Sequence, residues 1–189
     1  MKWIRLSGWA LILSALIFLF GFAWDHLLNG PYTLFTVMLG VVGSVLFLLG
    51  LPGIQQTQPQ TGRTGQIGLI LMGIGAVIAI IANLLIRLAG VDVGDWIPLT
   101  SAIAGSLGSL IVGWLTIRVN VFRPWIGWLM IIGAILNILF PVLPPEAVFI
   151  SQIGLFAQSA ALIGYGITML RRDILVSAGS VTGSSQQHV

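Results

Sequence analysis

Four amide side chains stand inside the apolar stretches of this sequence, and they are the groups there that could do chemistry: Asn83, Asn137, Gln152 and Gln158. Between membrane helices, a hydrogen bond from such a side chain contributes about 0.6–2 kcal/mol. Two roles are open from the sequence. The amides could join neighbouring helices, or they could line a narrow polar path or a ligand pocket.

Other intramembrane chemistries lack the residues they need. Histidine occurs only as His26 and His188, so paired haem ligands and a histidine-rich metal site are not expected. Ser106 and Ser109 have no histidine at membrane depth to act as a base, which favours a packing role over a serine protease. The chain contains no cysteine, which excludes disulfides and thiolate sites. We predict a non-enzymatic protein without a metal or cofactor.

Charged residues are confined to the ends of the apolar stretches. Ion-coupled transport usually requires ionisable groups within the membrane, so the sequence argues against it and leaves uncharged solutes as candidates. Beyond the third stretch, Arg87 is expected to pair with Asp92 or Asp95 on the outer face. An exposed pair of this kind contributes at most about 1 kcal/mol.

The composition is that of an integral membrane protein. Hydrophobic residues make up 57% of the 189-residue chain and charged residues only 7%, and the mean hydropathy is +1.05. A net charge of +3, scattered over several loops, does not indicate a nucleic-acid partner. The expected surroundings are the lipid bilayer and, in addition, other membrane subunits or further copies of the chain.

The apolar stretches predict an all-α fold with six transmembrane helices, each about 20 residues long. We place them at residues 3–24, 32–51, 67–89, 96–117, 125–142 and 148–170. Pro52-Gly53 is expected to end the second helix, and residues 55–66 to form a mobile loop. Residues 174–189 are rich in Ser, Gly and Gln and predict a disordered tail.

The basic residues indicate the orientation. Seven of them fall on one side of the threaded chain: Lys2, Arg5, Arg63, Arg118, Arg123, Arg171 and Arg172. Only Arg87 falls on the other side. By the positive-inside rule the first side is cytoplasmic, so both termini are expected there. The first apolar stretch is long for a signal peptide and is interpreted as a retained helix.

Small residues recur every fourth position in the fourth helix, at Ser101, Gly105, Ser109 and Gly113. Such a strip permits close helix packing, and Gly40 and Ser44 offer a similar surface on the second helix. We therefore expect the fourth helix to be the hub of the bundle. Leucine at position 105 would then have no room.

A weak internal repeat accompanies this pattern. The first helices of the first and third hairpins align without a gap: the separation from Gly8-Trp9 to Ser14-Ala15 equals that from Gly127-Trp128 to Gly133-Ala134. Gly75-Ala76 occupies the matching position in the middle hairpin. In the second helices, residues 40–44 match residues 105–109, while the third copy keeps only Ser159. Three tandem hairpins pointing the same way are predicted.

The hairpin that contains residues 127–134, Pro141, Gly154 and residues 163–166 resembles the two-helix repeat of the HdeD acid-resistance membrane family. The Leu51-Pro52-Gly53 turn is similar to one in a wider set of uncharacterised bacterial six-helix proteins. The resemblance implies a bacterial inner-membrane protein and no defined catalytic residues.

Two functions remain after these exclusions. The first is an accessory subunit of a membrane complex or a stress-related membrane factor, in which the small-residue strips contact other chains. The second is a small channel or facilitator for a neutral solute. A dry core with outward-facing strips favours the first function. A path lined by Asn83, Asn137 and Gln158 favours the second.

Overall fold

The computed structural model describes residues 2–26, 34–87, 96–139 and 148–183. Its helices are α1 (Lys2–His26), α2 (Leu34–Thr57), α3 (Gly62–Arg87), α4 (Trp96–Val119), α5 (Pro124–Leu139) and α6 (Val148–Gly183). Five helices in the described part are long and apolar enough to cross a membrane, and α5 is a shorter apolar helix. The predicted all-α, six-helix membrane fold is confirmed.

The helices form a closed ring. Each packs against the next one in the chain, and α6 returns to pack against α1. The helix α4 therefore has two main neighbours, α3 and α5, like every other member of the ring. It is not a hub around which the others are arranged.

The connection between α2 and α3 differs from the predicted loop. The helix α2 continues through Pro52 to Thr57, and a 3₁₀ turn at Pro59–Thr61 leads directly into α3. At Gly53 a Cβ atom would collide with the Ser7 side chain, so this glycine allows α2 to lie close against α1. The Pro-Gly pair therefore does not end α2: Gly53 serves helix packing, Pro52 is exposed, and most of residues 55–66 belong to helical elements.

The last helix is longer than its predicted membrane span. It passes the basic pair Arg171-Arg172 and continues to Gly183, so residues 174–183 are helical. Residues 172–176 read Arg-Asp-Ile-Leu-Val and contain neither proline nor glycine to stop the helix. The remaining residues of the predicted tail, 184–189, lie outside the described part of the chain.

The apolar core fills the end of the ring where α1, α3 and α5 begin. We call this end the basic end because of the basic residues that lie there: Lys2, Arg5, Arg63, Arg118, Arg123 and Arg171. The core includes Leu11, Met72, Val112, Met130 and Leu162. The opposite half of the ring is packed less tightly, and the candidate site lies in it.

The three hairpins are built alike. The aligned positions in their first helices are Ser14, Gly75 and Gly133, and all three meet the second helix of the same hairpin. In the first hairpin the serine hydroxyl donates to the Gly43 carbonyl at 2.8 Å. In the other two, a Cβ atom would press on the backbone at Gly105 and at Gly154. Each hairpin is thus closed at the same level.

Candidate ligand cavity

A cavity of about 620 Å³ occupies the middle of the ring, on the side of the core away from the basic end. All six helices contribute to its wall, which includes Phe18, Gly40, Gly105, Asn137 and Leu162. Among the described residues that line it, none is Asp, Glu, Lys, Arg or His. Its volume lies in the range of pockets that hold small organic molecules, about 300–1,000 Å³.

The four amides predicted to lie at membrane depth all line this cavity: Asn83, Asn137, Gln152 and Gln158. Asn137 Nδ2 donates to Gln158 Oε1 at 3.1 Å and so joins α5 to α6. Asn83 Nδ2 donates to the Ala79 carbonyl of its own helix at 2.9 Å. Asn83, Asn137 and Gln158 therefore make hydrogen bonds within or between helices, and all four amides stand in the cavity wall.

The small-residue strip of α4 does not face a single neighbour. The Ser101 hydroxyl donates to the Gly75 carbonyl of α3 at 2.8 Å. Gly113, at the other end of the strip, packs against Gly127 of α5, whose carbonyl oxygen would lie 2.8 Å from an added Cβ. A four-residue step turns a helical position by about 40°, so the strip rotates by about 120° along its length. In a ring, this rotation carries it from one neighbour to the other.

Between those two contacts the strip borders the cavity. A Cβ atom added at Gly105 meets nothing within 4 Å, and the same is true at Gly40 of α2. Both glycines line the cavity, as do Ser44 and Ser109 one turn further on. The expectation that leucine has no room at position 105 is therefore wrong, because the side chain would extend into open space.

Four serines line the deep part of the cavity, and we call them the serine floor: Ser44, Ser106, Ser109 and Ser159. Ser44, Ser109 and Ser159 occupy matching positions in the three hairpins. The Ser109 hydroxyl donates to the Gly105 carbonyl at 2.9 Å. Within the described part of the chain, the other three hydroxyls have no hydrogen-bond partner, although their residues are only 8%, 3% and 2% exposed. The sequence suggested packing for serines in this stripe, and only the repeat pointed to their shared level.

An inner plug closes the ring between the serine floor and the basic end; it consists of Gln58, Thr116, Phe122 and Tyr165, each at most 2% exposed. Gln58 Nε2 donates to the Thr116 hydroxyl at 3.2 Å, and that hydroxyl lies 2.6 Å from the Tyr165 hydroxyl. The Phe122 ring packs edge-on against Tyr165 with 4.8 Å between ring centres. The plug joins the end of α2 to α4 and α6, so the cavity is closed on this side.

The plug was not predicted, because Gln58 lies in the stretch interpreted as a mobile loop. Its Oε1 atom is buried without a hydrogen-bond partner, beside a void of about 10 Å³. A void of this size holds about one water molecule. One water molecule in this void would supply the hydrogen bond that Gln58 Oε1 lacks.

The predicted outer-face charges lie largely outside the described residues. Arg87 ends α3 without a described side chain, and Asp92 and Asp95 fall in the gap before α4. Their pairing stays a prediction. No group of three or more His, Asp or Glu residues able to hold a metal ion occurs in the described part of the chain.

Comparison of the chain with models of known protein families, with curated proteins and with solved structures gives no match. The fold and the cavity define the class on their own terms. The chain is an all-α polytopic membrane protein, a six-helix ring around a cavity whose described lining residues are uncharged.

Proposed function

We propose that this protein is a non-enzymatic facilitator that takes up a neutral, largely apolar small molecule into its central cavity. The observation that carries the proposal is the cavity of about 620 Å³, whose described lining residues include no charged side chain. An uncharged wall favours an uncharged ligand, because a buried ion without a partner is strongly unfavourable. Phenylalanine, alanine and glycine surfaces fit an apolar body, while amides and hydroxyls supply a few hydrogen bonds.

The accessory-subunit hypothesis rested on small-residue strips that contact other chains. In α4 the two ends of the strip are occupied by α3 and α5, and its middle borders the cavity. The equivalent glycine of α2, Gly40, also borders the cavity. The strips therefore support uptake of a ligand better than contact with a partner protein.

Facilitation requires a second, open state, because the inner plug separates the cavity from the basic end. The plug is held by two hydrogen bonds, by one aromatic contact and by the burial of Phe122 and Tyr165 in the apolar core. A neutral hydrogen bond contributes about 0.5–1.5 kcal/mol and a fully buried aromatic side chain about 1.5–3 kcal/mol, so the open state costs several kcal/mol and is a minor state. We assign the basic end to the cytoplasm of a bacterial inner membrane, on the strength of the seven basic residues there.

Cavity filling tests the proposal, with radiolabelled naphthalene as a neutral apolar probe. Gly105→Leu and Gly40→Leu place a side chain in the cavity without a steric conflict at Cβ. Gly21→Leu is the matched control: its Cβ also meets nothing within 4 Å, but Gly21 does not line the cavity. A scintillation proximity assay on detergent-purified protein measures the bound probe.

We expect wild type and Gly21→Leu to retain naphthalene, and the two cavity-filling variants to lose most of it. All four proteins should elute as the same species in size-exclusion chromatography. Equal retention by all four would mean that the probe sits in the detergent or on the lipid-facing surface, and the proposed function would fail.

A further inference from the structure

The three unpartnered hydroxyls of the serine floor require an explanation. Ser44, Ser106 and Ser159 are each more than nine-tenths buried, and their hydroxyls have no partner in the described part of the chain. None of the three hydroxyl oxygens is sealed inside packed protein, because each keeps some accessible surface and its residue lines the cavity. A hydroxyl in a largely apolar cavity is stabilised when a hydrogen-bond partner reaches it. Because all three residues line the cavity, the missing partner belongs to whatever fills it.

The hydroxyls come from different helices but lie at one depth. Ser44 is on α2, Ser106 and Ser109 are on α4, and Ser159 is on α6. Phe47 and Leu162 line the cavity one turn beyond them, toward the basic end. A molecule that reaches the serines is thus stopped by apolar side chains and presents its innermost group to several hydroxyls at once.

We propose that the serine floor is the binding site for the polar head of a neutral amphiphile, whose apolar body lies toward Phe18 and Leu155. The head is a hydroxyl or carbonyl group, since it has to accept hydrogen bonds from serine hydroxyls and carry no charge. The Ser109 hydroxyl already donates its proton to the Gly105 carbonyl. Its oxygen can still accept a hydrogen bond when the polar head is a hydroxyl group. This inference rests on the proposed function and names the class of ligand.

The orientation follows from where polar and apolar groups stand along the cavity. Leu155 lines the wall one turn further from the basic end than Ser159, and the Phe18 ring lies beside Gly43, next to Ser44 on the same side. The small side chains at Gly40, Gly105 and Ala79 leave the adjacent space open. An apolar body fits this middle zone, and the head reaches the floor beneath it.

A matched pair of probes tests this assignment. Naphthalene and 2-naphthol have the same ring system and differ by one hydroxyl group. Their affinities are measured by competition against radiolabelled naphthalene in the proximity assay described above. The preference is the affinity for 2-naphthol divided by the affinity for naphthalene, and comparing this ratio between variants removes the unequal partition of the probes into detergent.

Wild type should prefer 2-naphthol, and the double variant Ser44→Ala, Ser159→Ala should lose that preference by about twofold to tenfold for each hydroxyl bond removed. Naphthalene affinity should stay the same in the double variant. Ser14→Ala is the control: Ser14 is fully buried, its hydroxyl bonds to Gly43, and it does not line the cavity. It should keep the wild-type preference.

The outcomes separate the two proposals. If both probes bind equally well to wild type and both are lost in Gly105→Leu, the cavity takes apolar ligands but the serines are satisfied by water, and the serine-floor assignment is overturned. A preference that persists in the double variant also overturns it. If neither probe binds to wild type, the proposed function fails as well.

Discussion

Two glycines that face each other across α3 and α4 should respond in opposite ways to the same substitution. A Cβ atom at Gly75 would lie 2.7 Å from the Gly105 nitrogen, 2.8 Å from the Ser101 carbonyl oxygen and 2.9 Å from the Gly105 Cα. Favourable contacts between carbon atoms lie at about 3.5–4.0 Å, and all three conflicting atoms belong to the backbone. The two helices must therefore move apart to accept Gly75→Ala.

The magnitude follows from two terms. Overpacking of a close interface costs about 1–3 kcal/mol. The separation also stretches the 2.8 Å hydrogen bond from Ser101 to the Gly75 carbonyl, which contributes about 0.6 kcal/mol in a membrane bundle. Alanine's higher helix propensity, up to about 1 kcal/mol, offsets part of this cost, so Gly75→Ala should destabilise the protein by about 1–3 kcal/mol. Gly105→Ala meets no atom within 4 Å, and alanine favours a helix over glycine by up to about 1 kcal/mol.

Thermal unfolding in detergent, followed by circular dichroism, compares the pair directly. Gly75→Ala should lower the midpoint by several degrees, whereas Gly105→Ala should leave it unchanged or raise it slightly. A loss of stability in Gly105→Ala equal to that in Gly75→Ala would refute the reasoning, because position 105 would then be packed against a neighbour and not against a cavity.

Two further predictions concern the plug and the topology. Thr116→Ala removes the hydroxyl that lies between Gln58 and Tyr165. It should destabilise the protein by about 1–3 kcal/mol and raise the glycerol permeability of vesicles reconstituted with it, measured by osmotic swelling. The control Thr100→Ala loses only an exposed hydrogen bond within its own helix and should change neither stability nor permeability. Unchanged permeability in Thr116→Ala would show that the plug is not the barrier. The chain has no cysteine, so single cysteines placed at Thr64 and Pro145 report the topology. A membrane-impermeant thiol reagent should label the two positions from opposite faces of the membrane, with Thr64 on the cytoplasmic face. Labelling of both from the same face would contradict the six-span arrangement.

The sequence predicts the architecture because hydropathy and helix length are local properties. The six spans, the polar amides at membrane depth and the repeat could all be read from residue types and spacing. The ends of the helices were harder to predict from the sequence, and Pro52 is an example. Its terminating tendency is local, but the contact of Gly53 with Ser7 depends on the neighbouring helix.

The cavity could not be predicted, because it depends on the closure of the ring. A strip of small residues fits a close helix contact and a cavity wall equally well. Gly113 and Gly105 are alike in sequence context, yet one packs against Gly127 and the other faces open space. Only the position of α3 and α5 around α4 separates these two uses. The same holds for Gln58, which lies far from Thr116 and Tyr165 in the chain and meets them through the fold.

Anomalous diffraction from crystals grown with 6-bromo-2-naphthol is the most direct test of the central claim, because the bromine locates the probe and its orientation together. We expect a bromine peak inside the ring, beyond Phe18 and Leu155 as seen from the basic end, with the hydroxyl of the probe within hydrogen-bond distance of Ser44 or Ser159. Bromine peaks found only on the lipid-facing surface, with the interior of the ring empty of probe, would contradict the account.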